Sequence, residues 1–549
     1  MRKMVQFSIV AALTTYNMIP ALASPQALPT NSNDAFEFHA LMRSSVPEQM
    51  ATDDKMPLVH MLPDQNILEA NDAETIQQAM DSVKKTSLLN LTRNTTVKQK
   101  DVKPLDADEI LASRQLTMVI VPGFLGEFIE TRGFEDVFSQ PSPERDAFEA
   151  KIKQLKDAKD PNATDKTFHR VTQEVTKDLS ELISVGSIKN KSGATVARVI
   201  LLKTPPMSLE SIGDLANHAV TFNRRLGKYL AITGAQDLAF VGYSRGTPLG
   251  LEMLAQAKQQ NLSWLPSVKA MISLGGVTNG SSLADMYEVE KSPAKEALDT
   301  VRGLRTTLRA HWTMTAYNTV VWLDFARRML FLRPSLTAHV ETAPEKYQPS
   351  SFDAGVDAAA VMNLIVSVGA GLGLDHFILD YSDNVVRFQK FVDAMVEGIT
   401  GLTTKARTEW WATHTVPKSV RYYTISAAMA NPGNNEFEDL IFNKKVGYSL
   451  SADDKTLLQN SIDYKTVSGV ALNDSQVAIA QAMILPKFVE KLNPENAGLT
   501  SSFLGTCGTH HWGLALRTVT PMKDGRLNPF PREALLKSLA AKVVLDQSK

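Results

Sequence analysis

The sequence predicts an α/β fold, a mainly parallel sheet flanked by helices, and three observations carry that expectation. Apolar, β-branched runs recur at "LTMVIV", "ATVARVILL" and "AQDLAFVGY". Between the second and the third lies "SLESIGDLANHAVTFNRRLGKYLAIT", apolar at helical spacing. The third runs straight into the helix-like "TPLGLEMLAQAKQQ". Continuous apolar runs suit buried strands, and a helical crossover between successive strands is what parallel pairing requires.

Taken in order, the chain opens on "MRKMVQFSIVAALTTYNMIPALASPQ". Two basic residues, a short apolar stretch and Ala21-Leu22-Ala23 follow the order of a secretory signal, so residues 1–23 are expected to be removed after Ala23. The mature protein is then secreted or periplasmic, with no stable membrane span after signal removal. Residues 24–114 form a polar, uneven N-terminal extension, with an amphipathic helix expected near Asn71 to Lys85. Residues 115–282 hold the strands quoted above and a further one in "SVKAMISLGGVTNGSSLAD". Residues 283–417 read as a large helical cap insert, within which Thr313 to Leu332 and Ala358 to Leu374 are unusually apolar for surface helices. They suit a buried subdomain or a mobile lid with an apolar inner face. The core resumes over 418–549 with the strand "SVRYYTISAAM".

Composition narrows the function. Over 549 residues, 44% are hydrophobic and 21% charged, and the formal net charge is −1. No field is available to gather nucleic acid or an anionic surface, so a neutral or apolar ligand fits better. Cys507 is the single cysteine, which rules out an intramolecular disulfide and thiolate metal clusters. No His-Glu-x-x-His pattern is present either, so chemistry without metal or cofactor is expected.

The residues that carry chemistry begin at "FVGYSRG". A buried strand ends in Gly-Tyr-Ser-Arg-Gly and a helix starts at once, the context of a nucleophile elbow, in which the serine is lifted onto a tight, strained turn. Ser244 is the candidate nucleophile. Its base and acid should follow in the order acid, then histidine. His510 and His511, in the Gly and Ser/Thr-rich loop "SSFLGTCGTHHWGLALRTV", are the candidate bases. Asp474, after "VSGVAL", is the candidate acid, with a helix cap as its alternative role; Asp439 is the reserve. An oxyanion needs two N–H donors, for which the amide of Arg245 and the loop "VPGFLGE", at Phe124, are suited.

With those residues in place, the sequence resembles the bacterial true lipases, the triacylglycerol lipase group of the α/β-hydrolase superfamily. The matches are "PGFLGE", "GYSRG", "GGVTNGSSLAD", "GLTT", "RYYTIS", "NDSQV" and "THHW", in the family's order, and the resemblance covers roughly residues 115 to 520. It implies an α/β-hydrolase fold with Ser244, Asp474 and His511 as nucleophile, acid and base, and Phe124 and Arg245 as oxyanion amides. His511 is favoured over His510 because the family's catalytic histidine precedes an apolar residue, here Trp512. The implied partner is a lipid or other apolar ester; a phospholipase or short-chain esterase on the same triad, or an inactive binding protein, are the alternatives. Three departures stand out. Pro122 replaces the oxyanion-loop histidine, Tyr243 replaces the histidine before the serine, and Trp512-Gly513 stands where many of these lipases place a calcium-binding aspartate.

Overall fold

The computed structural model describes residues 31–46, 48, 58–59, 104–123, 134–138, 141–157, 176–204, 213–288, 397–428, 473–515 and 530–549. The body of residues 283–417, the segment around Asn71 to Lys85, Phe124 and Asp439 lie outside them.

Among the described residues eight strands form one sheet: β1 (Leu58–Val59), β2 (Leu116–Val121), β3 (Ile183–Lys189), β4 (Thr195–Leu202), β5 (Leu238–Tyr243), β6 (Val268–Leu274), β7 (Arg421–Ala427) and β8 (Ser501–Cys507). Their order is β1-β8-β7-β6-β5-β2-β4-β3. From β4 to β8 every pairing is parallel; the edge strands β3 and β1 pair antiparallel with β4 and β8. This is the α/β-hydrolase arrangement that the sequence predicts.

The apolar runs are continuous because both faces of the sheet are covered. All six residues of β2 are buried. Val119 and Val121 face a core shared with α2 (Pro143–Asp157), α3 (Leu215–Thr233), α4 (Gly246–Gln259) and α5 (Thr404–Thr413), through Phe148, Phe222, Leu254 and Trp411. Met118 and Ile120 point the other way, into a core built by α1 (Asn31–Ser45) and α6 (Arg532–Gln547) through Phe38, Met42, Leu535 and Leu539. Chain direction across the sheet reverses at β2: β4 and β3 lie to one side, β5 to β8 to the other. Such a reversal opens a crevice at the carboxyl ends of the strands, where ligands bind in folds of this kind.

The helix ends follow their sequences. Asp214 caps α3, its carboxylate accepting the N–H of Asn217 at 3.0 Å, and Gly234, at φ +64°, closes it in the left-handed conformation. Thr403 of "GLTT" caps α5, accepting from the Ala406 N–H at 3.2 Å.

Two segments among those that differ from the sequence reading bear on the core. Ser501–Cys507, read above as loop, is a fully buried strand. Its hydroxyls are neutralised by distant partners: Ser501 Oγ donates to the Ile484 carbonyl at 2.8 Å, and Thr506 Oγ1 pairs with Ser426 Oγ at 2.9 Å. The extension, read as polar and uneven, includes α1, which buries Phe38, Leu41 and Met42 against the core. Among the described residues no helix is long and apolar enough to cross a membrane.

Candidate active site

Ser244 lies between β5 and α4 with φ +53°, a left-handed conformation that costs a side-chain-bearing residue on the order of 1–3 kcal/mol unless its surroundings impose it. They do. Its N–H donates to the Leu274 carbonyl at 3.2 Å, and its own carbonyl accepts from Thr247 at 3.1 Å and Val277 at 3.2 Å. The two glycines are required by space. A Cβ on Gly242 would lie 2.5 Å from Thr247 Cα, and one on Gly246 would collide with the carbonyl of Val121. Pro248 fits the first turn of α4, where its missing N–H has no helical acceptor to lose. Ser244 is 8% exposed at the crevice.

Asp474 and His511 meet on the neighbouring loops. Asp474 Oδ2 lies 2.7 Å from His511 Nδ1, and both residues are almost fully buried. The His511 N–H also donates to the Asp474 carbonyl oxygen at 2.8 Å. Oδ1, the other carboxylate oxygen, accepts the N–H groups of Gln476 at 3.0 Å and Val477 at 2.7 Å. One carboxylate oxygen thus pins the turn and the other holds the imidazole; the helix that follows begins only at Ile479, so Asp474 is not its cap. His511 Nε2 is buried and has no hydrogen-bond partner among the described residues. It makes no hydrogen bond to Ser244 Oγ.

His510 has a different job. Its Nδ1 accepts the Gly513 N–H at 2.9 Å and caps the short turn His511–Leu514. Gly513, where a calcium-binding carboxylate would stand, is thus tied to that cap.

Several contacts fix these residues about Ser244. Gly275, directly after β6, would carry a Cβ 3.5 Å from Asp474 Oδ2 and 3.7 Å from His511 Nδ1. The loop after β6 also grips the acid loop: Asn279 Nδ2 donates to the carbonyls of Ala480 at 3.2 Å and Met483 at 2.8 Å, and Ser281 Oγ to that of Gln476 at 2.7 Å. The same loop reaches α5, whose first turn is held by Asp285 through Thr404 N at 2.7 Å and Oγ1 at 2.6 Å. The motifs "GGVTNGSSLAD", "GLTT" and "NDSQV" are thereby one connected structure.

Of the two oxyanion candidates, Phe124 lies outside the described residues, but Gly123 before it would carry a Cβ 3.0 Å from Ser244 Cβ, so the loop after β2 abuts the serine. Arg245 follows Ser244, with its guanidinium fully buried. Burial lowers it to about 10, against the charge of Asp214. Nη1 lies 3.2 Å from His218 Nδ1, and Nη2 donates to the Gly213 carbonyl. Burial first, then Arg245 and Arg225, hold His218 well below the usual histidine range, so it stays neutral.

One acidic group among the described residues has metal-like spacing: Asp34, Glu37 and Asp546, with carboxylates within 4.8 Å of one another. The Lys542 ammonium already occupies its centre, bonded to Asp34 at 2.7 Å, Glu37 at 2.8 Å and Asp546 at 2.7 Å.

Fold and site together define an α/β-hydrolase architecture with a strained serine at the elbow. No protein-family model matches the sequence, and no curated protein matches it. Among solved structures the chain is similar to a metagenomic carboxyl esterase, at 14% identity over 95% of this chain and 97% of that one, with a TM-score of 0.39. It is also similar to a lipase of Bacillus licheniformis in its mature form, at 10% identity over 72% and 85%, with a TM-score of 0.28.

Proposed function

We propose that this protein is an exported serine hydrolase that cleaves carboxylic esters of apolar acyl chains, a lipase or esterase of the true-lipase kind. The observation that carries the reading is the buried Asp474–His511 pair, at 2.7 Å, with Nε2 unpartnered among the described residues, alongside a strained Ser244 at the turn between β5 and α4.

In this reading Nε2 of His511 takes the Ser244 hydroxyl proton as Oγ attacks the ester carbonyl. Asp474 keeps the second imidazole proton on Nδ1 and stabilises the imidazolium that forms. The amides of Arg245 and Phe124 receive the oxyanion, and donors held in place before the charge appears would lower the barrier. Collapse expels the alcohol, which recovers its proton from His511, and leaves an acyl-Ser244. Water, deprotonated by His511, then repeats the sequence and releases the acid.

A fluorophosphonate probe tests the serine: the wild type should be labelled at Ser244 and the Ser244→Ala variant should not. A series of p-nitrophenyl esters of rising acyl length tests the substrate class. A lipase-like acyl site should gain about 0.8 kcal/mol in kcat/KM for each methylene buried until the site is full. A preference for acetate would make the protein a short-chain esterase, and an unlabelled serine would leave a hydrolase-like binding protein.

A further inference from the structure

Tyr243, the residue before the candidate nucleophile, makes a contact that the reaction above does not use. Its hydroxyl donates to the main-chain carbonyl of His511 at 2.9 Å, and its ring lies 5.2 Å from the imidazole, centroid to centroid, at 31°. The side chain is buried. Burial, reinforced by the negative charge of Asp474 and opposed by Arg532, holds its phenol well above the usual range, so the hydroxyl keeps its proton as a donor.

Tyr243 also occupies a rigid place. It ends β5, which pairs in parallel with β2 at Gly242 to Val121 and with β6 at Tyr243 to Leu274. His511, by contrast, sits in a four-residue turn beyond the end of β8. Asp474 orients its ring and grips its N–H, but Asp474 itself lies on a loop. The phenol is a direct link between the base and the strand from which the serine projects.

Resting on the hydrolase reading, we infer that Tyr243 is a positioning residue: its hydroxyl sets the height of the His511 main chain, and hence of Nε2, relative to Ser244. Its hydroxyl exchanges no proton in the reaction above and acts only through the His511 main chain. A displacement of the base on the ångström scale slows proton transfer while leaving the acyl site unchanged.

The test is Tyr243→Phe against Tyr422→Phe. Tyr422, buried on β7, donates to the Pro417 carbonyl at 2.9 Å, so both variants keep the ring and lose one buried hydroxyl bonded to a main-chain carbonyl. Each is assayed where circular dichroism shows it folded, and below its own melting midpoint. Both should lose a similar amount of thermal stability. Tyr243→Phe alone should lower kcat and the rate of fluorophosphonate labelling at Ser244 by about tenfold, with KM within about twofold of wild type. Wild-type labelling and kcat in folded Tyr243→Phe, or an equal loss in Tyr422→Phe, would overturn the positioning role and leave the hydrolase reading intact. A wild type that takes no label overturns the hydrolase reading and this one with it.

Discussion

Two clusters of buried charge lie beyond opposite ends of β8, and they differ in what they leave undone. At the start of the strand Lys542, with a fully buried side chain, is bonded to Asp34, Glu37 and Asp546. Asp34 is further bonded to Ser502 and Arg421, and Asp546 accepts from the Tyr423 hydroxyl at 2.6 Å. There the polar groups are spent on one another. Beyond the far end, Asp474 is equally well held, but the chain of bonds stops at His511, whose Nε2 has no partner among the described residues. A closed network stabilises; a network with one open valence can do chemistry, at the cost of a buried polar atom left unsatisfied.

That contrast breaks most sharply at the open end. Ser244→Ala should reduce ester hydrolysis by roughly a millionfold, as removing the nucleophile of a triad does, with the fold intact by circular dichroism. Asp474→Asn should come next, at roughly ten-thousandfold, because the amide favours the wrong imidazole tautomer. Its thermal midpoint should move little if Asn Oδ1 still accepts from Gln476 and Val477. A midpoint collapse with an intact rate would return Asp474 to the role of a turn cap.

At the closed end the currency reverses. Lys542→Met should cost about 3–5 kcal/mol of stability by stranding the carboxylates, yet leave kcat unchanged where the variant is folded. His510→Ala should be milder, about 1 kcal/mol for a lost cap, with near-wild-type turnover. If instead it abolishes activity while His511→Ala does not, the base has been assigned to the wrong neighbour.

A further expected effect is a pH dependence of the docking of α1. Burial, with Arg43 adding, lowers His39 to about 4. Its unfolded value is near 6.5, so the unfolded chain binds more protons in between, and stability should fall as pH drops from about 6.5 to about 4. Asp34 acts below that window. Burial raises its carboxyl, but the bond and charge of Lys542, with Ser502 and Arg421, outweigh burial and lower it. Its contribution is complete above the unfolded carboxylate value and is lost as pH falls through the folded one. Thermal melts of the wild type and of His39→Gln across pH 4 to 7 check the first part: the variant's curve should be flatter.

The same two ends explain what could be read in advance. β2, β4, β5, β6 and β7 show as apolar runs because each is buried by its own side chains. β8 did not, because Ser501, Ser502 and Thr506 are admitted to the interior only by Ile484, Asp34 and Ser426, partners with no local signature. β3 does not show as an apolar run because Gly186 and Ser187 interrupt it, although the Asn190 to Gly193 turn that joins it to β4 is a hairpin signal. At the candidate site, Ser244 is legible because strand, turn and helix adjoin in sequence. Asp474 and His511 could be nominated but not joined, and the separate jobs of His510 and His511 emerge only when the turn is closed by the Gly513 N–H. Tyr243 stood out as a departure, with nothing in the sequence to say which atom it held.

The cluster around Lys542 also dates the completion of the molecule. Asp34 and Lys542 are 508 positions apart, so the first described helix leaves the ribosome long before its partner exists. At roughly 5–20 residues per second the wait is tens of seconds. Throughout it, Phe38, Leu41 and Met42 lack the α6 side chains that complete their core, and a segment made early is among the last to be secured. A nascent chain in that condition stays open longer than one whose early contacts are local, and it depends on whatever shields an apolar helix face from its neighbours until α6 arrives.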